Sequence, residues 1–333
     1  MSFLPLNTGT DFIVNSEAIT ATLWSGTVPT LATYFTSSTQ EASSAGNYYL
    51  NVYQTASSYT ISEVQFAIAY ANKQGSGSAL YNGAVGGNSF TRTLYGQYRT
   101  LVLGDENADF NFGGVTQSDF YVLSIDRARY KEKLFPNTFN LKLTGTTTTV
   151  HLTADVNSET TATFLGSNRA YQLVSGSNGS KFGQSGYVAA SGSYGLFLPD
   201  IGTILLNPSA LSQFAGVTAT TTANLANGTN QKTLVNAIIN GGSFQLNAQE
   251  TVTSDYIFIR SRNSEFNYST NPSYISGSTG EIIFSSFINN PQSYITTVGM
   301  YNDSNELVAV AKLSRPLLKD FTKESLIRVK LDF

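Results

Sequence analysis

Residues 294–333 begin with Tyr294-Ile-Thr-Thr-Val-Gly-Met-Tyr-Asn-Asp-Ser-Asn-Glu-Leu-Val-Ala-Val-Ala-Lys-Leu-Ser-Arg315 and close with Pro316-Leu-Leu-Lys-Asp-Phe-Thr-Lys-Glu-Ser-Leu-Ile-Arg-Val-Lys-Leu-Asp-Phe333. Two apolar runs flank a turn at residues 302–305, which predicts a hairpin over residues 294–313. A third alternating run, at 326–333, predicts a strand that ties the end of the sequence into a sheet. This stretch therefore indicates an antiparallel β fold.

The rest of the sequence has the same β-rich character. Residues 62–70 alternate apolar side chains and residues 120–126 form an apolar run, so both predict strands. Residues 231–239 predict a short helix closed by a pair of glycines. Residues 91–103 fit a helical start that gives way to a strand. We therefore expect a mainly β fold, with antiparallel sheets or β-sandwich-like domains and a few short helices.

A change of composition divides the sequence into three parts. Residues 144–254 carry long Ser, Thr and Gly stretches and few charges, and their short strands between turn clusters predict a sandwich-like or hairpin-rich insert. Residues 1–143 and 255–333 resemble each other in character. We therefore expect a β-rich domain over 1–143, completed by the C-terminal β segment 255–333, from which the insert projects.

Charge is sparse along the whole chain. Charged residues make up 12% of the 333 residues, about half the share typical of globular proteins. A surface this neutral is typical of a subunit that neighbours cover, since an isolated protein relies on surface charge for solubility. An uncharged extracellular β protein is the alternative.

Several partner classes are disfavoured by the same composition. A net charge of −3 without a basic stripe argues against nucleic acid as a partner. No run approaches the roughly 18 apolar residues of a membrane span. The first ten residues lack the basic and apolar regions of a signal peptide, so we expect synthesis without export.

Catalytic and cofactor motifs are scarce. The sequence has no cysteine and one histidine, His151, so neither a Cys-His pair nor a His-rich zinc site fits within one chain. No Gly-x-Ser-x-Gly elbow offers a nucleophile. The glycine-rich run 75–80 has Leu80 where a dinucleotide fingerprint needs glycine. We therefore expect a non-enzymatic protein without a cofactor.

One acidic cluster leaves a question open. Asp105, Glu106 and Asp109 place three carboxylates close together in sequence, and a hard cation such as calcium uses such ligands. The spacing is not that of an EF-hand, and a polar loop before a strand explains the cluster equally well. No metal site is predicted, and cation binding by these three residues stays open.

Aromatic and basic residues near the C-terminus suggest an interface. The chain has 19 Tyr and 21 Phe against one Trp, many of them in polar stretches, and such side chains supply contact area with little loss of rotamer entropy. The alternative is that they cap strand ends within the chain's own core. The interface hypothesis names Tyr294, Tyr301, Arg315, Lys319, Phe321, Arg328 and Phe333.

Part of the hairpin resembles a segment of tail and baseplate proteins of contractile-tailed bacteriophages. There, a strand ending in a Gly-Leu-Tyr-like triplet precedes an Asp/Asn turn and a Leu-Ile-Ala-Val-like strand. The matching residues are 298–301, 302–303 and 307–310. Further segments look like a virion structural protein of cyanobacterial and other marine myoviruses: residues 63–78, 95–103, 120–134, 195–202 and 258–268.

This resemblance implies a tail or baseplate component, with the baseplate wedge as its expected location. It implies other phage tail and baseplate proteins as partners, several copies per virion, and a location in the virion tail after synthesis in the bacterial host cytoplasm. A neck, head-tail connector or head-decoration protein is one alternative. A receptor-binding tail fibre or spike is another, although the irregular segment lengths lack the repeated rungs of a β-helix.

Overall fold

The computed structural model describes residues 4–37, 49–56, 59–78, 89–146, 148–156, 163–182, 191–221 and 228–332. It has four α-helices in these ranges: α1 Phe90–Tyr98, α2 Pro208–Ala215, α3 Thr229–Gly241 and α4 Ser285–Ile288. Its strands are β1 Phe12–Thr22, β2 Thr30–Leu31, β3 Phe35–Ser37, β4 Tyr49–Tyr53, β5 Val64–Asn72, β6 Phe110–Phe112, β7 Val115–Gln117, β8 Asp119–Ile125, β9 Lys133–Thr144, β10 Thr149–Ala154, β11 Thr163–Leu165, β12 Asn168–Ser177, β13 Ser180–Lys181, β14 Gly195–Leu198, β15 Thr203–Leu206, β16 Phe244–Ser261, β17 Ser293–Tyr301, β18 Leu307–Lys319 and β19 Ser325–Asp332.

The chain forms two compact units. The larger unit is Ile19–Glu250, and the smaller unit combines Met1–Ala18 with Thr251–Phe333. The described strands pair antiparallel in both units, and the helices are short. The expected mainly β fold with antiparallel sheets is therefore confirmed.

One long sheet dominates the larger unit. Its strand order, starting from the first half of β16, is β16-β9-β10-β12-β14-β15-β8-β5-β4-β3. Phe66 in β5 and Phe244 in β16 lie far apart in this order, yet their ring centroids are 5.7 Å apart. Trp24 packs against both rings, at 6.1 and 5.0 Å. The sheet therefore folds over until its distant strands share one core, which is a sandwich-like arrangement.

Successive side chains of the central strands contribute alternately to two hydrophobic cores. In β8, Tyr121 and Leu123 face the main core, to which α2 and α3 add apolar side chains. Phe120 and Val122 point to the opposite face, where α1 and the β6–β7 hairpin cover them. Successive strand residues point to opposite faces of a sheet, so burial of both faces explains the continuous apolar run at 120–126.

The division into units differs from the one that composition suggested. β10, inside the expected insert 144–254, pairs with β9, and β15 pairs with β8. The short strands of the insert thus complete the sheet that residues 1–143 begin. Composition could not reveal this, because the pairings join segments that are distant in sequence.

The helical start at residues 91–103 was predicted correctly, but the strand after it was wrong. α1 continues into a π-helical turn, Arg99–Leu103, that ends at Gly104 in a left-handed conformation. Val102 is buried in the larger unit, in the same cluster as Phe120 and Val122. The β-branched and leucine-rich run favoured a strand locally, and tertiary packing overrides such weak preferences.

The smaller unit has a modest core of its own. β16 pairs with β19 from Ser254↔Asp332 to Ser261↔Ser325. Ile257, Ile327 and Val329 form the buried centre of this unit. The β17–β18 hairpin adds partly buried side chains to the same cluster. The predicted C-terminal strand and hairpin therefore both form.

Candidate assembly surface

The β17–β18 hairpin is a long two-stranded ribbon. Its register runs from Ser293↔Lys319 to Tyr301↔Leu307, with irregularities between Ile295 and Thr297 and between Met300 and Tyr301. Within the described part of the chain, each of its strands pairs only with the other. The ribbon therefore leaves both outer edges without a strand neighbour.

Asn302 organises the turn between the two strands. Its side-chain Oδ1 accepts hydrogen bonds from the backbone N–H groups of Ser304 and Glu306, at 3.0 and 2.8 Å. The backbone carbonyl of Asn302 accepts from the N–H of Asn305 at 2.9 Å, and Asn305 has a positive φ of 60°. Asparagine tolerates both roles better than most residues, which explains why this sequence turns here.

The two faces of the ribbon have different environments. Val298, Met300 and Ala311 face the small core. On the opposite face, Val308 and Val310 are 68% and 58% exposed. A Cβ at Gly299 would lie 3.1 Å from the Tyr301 ring and 3.2 Å from Leu307, so these two side chains cover the glycine. The outer face of the ribbon is therefore an exposed apolar strip.

Most residues of the interface hypothesis are exposed. Tyr294 is 64% exposed at the start of β17, and Tyr301 is exposed at its end. Arg315 is exposed in β18 and Phe321 in the turn after it. Arg328 is exposed in β19, with its guanidinium 5.5 Å from the centroid of the Tyr256 ring. Phe333 lies outside the described residues.

Lys319 does not fit the interface hypothesis, because its side chain is 0% exposed. Its ammonium donates to Asn267 Oδ1 at 2.7 Å, to the Asp320 carbonyl at 3.0 Å and to the Asn263 carbonyl at 3.3 Å. These acceptors match the three donors of a lysine. Lys319 therefore fastens the end of β18 to the segment that follows β16.

Much of the exposed apolar surface was not predicted from the sequence. Among the described residues, the smaller unit exposes more large hydrophobic side chains than the larger unit, although it is less than half as long. The residues missed in the smaller unit are Leu6, Ile13, Val14, Tyr268, Ile283, Phe284, Ile288, Leu307, Val308, Val310 and Leu326. The alternation at 308–312 carried a signal, since Val308 and Val310 share the exposed face of Lys312.

The acidic cluster is not assembled into a metal site. Asp109 forms an ion pair with Lys73, and Asp105 accepts a hydrogen bond from the backbone of Asn107 at 2.8 Å. Within the described ranges, no group of three His, Asp or Glu side chains converges as metal ligands do. His151 lies in β10, where it pairs with Lys142 of β9.

A half-open pocket of about 300 Å³ lies in the larger unit. Its two cations are already neutralised: Arg169 donates to both carboxylate oxygens of Asp200, and Lys133 Nζ lies 3.3 Å from Glu132 Oε1. The ion pair with Asp200 raises the pKa of Arg169 above its ordinary value. The geometry therefore fits a structural ion pair better than an anion site.

The partly buried carboxylate of Asp119, at the start of β8, lies near Tyr70 and Tyr121. The Tyr70 hydroxyl donates to Asp119 Oδ2 at 2.7 Å, and the Tyr70 and Tyr121 rings lie 5.3 Å apart. Burial raises the pKa of Asp119 above its ordinary value, and the Tyr70 hydrogen bond offsets part of that rise. Burial also raises the pKa of both tyrosines, so neither phenol is activated as a nucleophile.

None of the helices in the described ranges has the length and apolar content needed to span a bilayer.

Comparison with known proteins identifies no protein that is similar to this chain. No protein-family model matches the chain, and no curated protein and no solved structure shows a significant similarity to it.

Proposed function

We propose that this chain is a non-enzymatic structural subunit of a contractile bacteriophage tail, located in the baseplate wedge and bound to other tail proteins in several copies per virion. The observation that carries the proposal is the concentration of exposed apolar side chains on the smaller unit. Large exposed apolar patches on folded proteins mark interaction sites. The smaller unit is therefore the docking element.

The energetics favour an assembled state for this unit. Its buried centre consists of a few aliphatic side chains, whereas Val308, Val310 and Leu326 remain in solvent. Covering such side chains with a neighbour gains roughly 1.5–3 kcal/mol each. The sparse charge of the chain supports the same conclusion, because few charged groups would have to be desolvated on assembly.

The phage setting rests on the sequence resemblance. The resembling residues 298–301 and 307–310 lie in β17 and β18, and the turn residues 302–303 include Asn302, whose side chain organises the turn. Thus the part of the sequence that resembles tail and baseplate proteins also forms the apolar ribbon. Its role would be mechanical: strand edges and aromatic side chains hold neighbouring subunits until the baseplate rearranges and the sheath contracts.

A complementation assay tests this function. A phage that lacks this gene product is supplied with the Val308→Ser/Val310→Ser double variant, and its content in purified tails is measured by mass spectrometry. We expect incorporation to fall roughly tenfold or more, because two exposed anchors of an interface are lost. Circular dichroism should be unchanged, since both side chains lie in solvent.

The matched control removes equally exposed side chains from the larger unit. Ile61→Ser/Phe164→Ser alters two residues that are 77% and 59% exposed, and it should be incorporated normally. Normal incorporation of the ribbon variant would contradict the docking role. Absence of the wild-type chain from the tails would contradict the phage setting itself.

A further inference from the structure

The two edges of the β17–β18 ribbon differ in the features that prevent strand pairing. β18 carries Lys312, Arg315 and Pro316, and charged residues and proline are the means by which proteins protect exposed edges. β17 reads Ser-Tyr-Ile-Thr-Thr-Val-Gly-Met-Tyr, without a charge or a proline over its nine residues. The β17 edge is therefore the unprotected one.

An unprotected edge of this kind favours a partner strand. Its sequence is rich in β-branched and aromatic residues, which raises its tendency to add a strand. Tyr294, Thr296 and Gly299 are exposed along it, while Val298 and Met300 hold the strand on the small core. The backbone of β17 is thus presented in a fixed, extended conformation.

We propose that the occupant of this edge is β17 of a second copy of the chain, paired antiparallel across a two-fold axis so that two ribbons form a four-stranded sheet. This inference rests on the proposed assembly role, and it names a second copy of the chain as a partner in that assembly. The uncharged strand is self-complementary, because antiparallel pairing with itself places no like charges opposite each other. A two-fold interface also gives a closed dimer, which needs no further subunits.

The alternative pairing through β18 is disfavoured by charge. Two copies of β18 would bring Lys312 and Arg315 of one protomer towards the same residues of its partner, and like charges that face each other across strands are destabilising. In the β17 pairing, these cations stay on the far side of each ribbon. The apolar strips with Val308 and Val310 then lie on one continuous sheet, available to other proteins.

Charge-swap variants of the full-length protein test the pairing by sedimentation velocity. We expect wild-type dimers, and dimerisation about fivefold weaker for Thr296→Lys and for Thr296→Glu, because each places like charges on both sides of the axis. An equimolar mixture of the two variants should restore dimers. Ser314→Lys, an exposed position on β18, should leave dimerisation unchanged.

Crosslinking provides a second readout that does not need a weakened dimer. The chain has no cysteine, so Thr296→Cys introduces a single thiol, and a short bismaleimide should join two copies. Ser314→Cys should remain uncrosslinked.

A monomeric wild type, undiminished dimers in both Thr296 charge variants, or crosslinking at position 314 instead of 296 would each overturn the β17 pairing. The incorporation of the Val308→Ser/Val310→Ser variant tests the assembly role separately, because those side chains lie on β18, away from the proposed pairing edge.

Discussion

Asp119 shows how burial changes the behaviour of a single carboxyl group. Its pKa is raised by burial, with partial compensation from the Tyr70 hydroxyl. The folded state therefore holds the proton more tightly than the unfolded chain does. The carboxyl group favours folding at acid pH, and this contribution is lost as the pH rises through the folded-state pKa. At neutral pH, the ionised and desolvated carboxylate destabilises the larger unit.

Asp119→Asn should therefore stabilise the protein at neutral pH, since the amide oxygen still accepts the Tyr70 hydrogen bond and no charge is buried. The gain should shrink towards acid pH, where the wild-type carboxyl is protonated. Urea unfolding at both pH values measures the effect. Asp105→Asn, at an exposed carboxyl that accepts a backbone hydrogen bond, is the control and should change little. A gain that persists unchanged at acid pH would contradict the burial argument.

At the scale of elements, Lys319 fixes where β18 ends. Two of its three hydrogen bonds reach Asn263 and Asn267, more than fifty residues earlier in the sequence. The same segment contains Phe266 in a positive-φ conformation, whose carbonyl accepts from the Ser293 hydroxyl. The irregular stretch after β16 is thus held against the base of the ribbon by buried polar contacts.

Lys319→Met should destabilise the smaller unit by about 3 kcal/mol, because it leaves buried acceptors without donors while preserving the aliphatic stem. Chemical denaturation measures this loss. Lys323→Met is the matched control: Lys323 is exposed and lies 3.9 Å from Asp320, so its loss should cost less than about 1 kcal/mol. Equal effects of the two substitutions would show that Lys319 is not an anchor.

Local pattern was sufficient for some elements and not for others. β8 Asp119–Ile125 and α3 Thr229–Gly241 form where the apolar run at 120–126 and the run at 231–239, closed by two glycines, predict them. The burial of Lys319 could not be predicted, because its acceptors come from a distant segment. The pairing of the insert strands with β8 and β9 was missed for the same reason: nothing in a short strand identifies its neighbour.

At the scale of the molecule, the two units differ in how many of their large apolar side chains they bury. The larger unit buries aromatic side chains such as Phe66 and Phe244 in a shared core. The smaller unit buries few and exposes many. β19 belongs to this small core through Ile327 and Val329, so deleting residues 326–333 would disrupt folding and docking together. Substitutions on the outer face of the ribbon separate the two effects.

Electron cryomicroscopy of the intact virion is the decisive experiment for the proposed function. We expect density for this chain in the baseplate of a contractile tail, with the outer face of the β17–β18 ribbon, including Val308 and Val310, covered by neighbouring subunits. Density at the head-tail junction, or a ribbon whose outer face lies in solvent within the assembled particle, would contradict it.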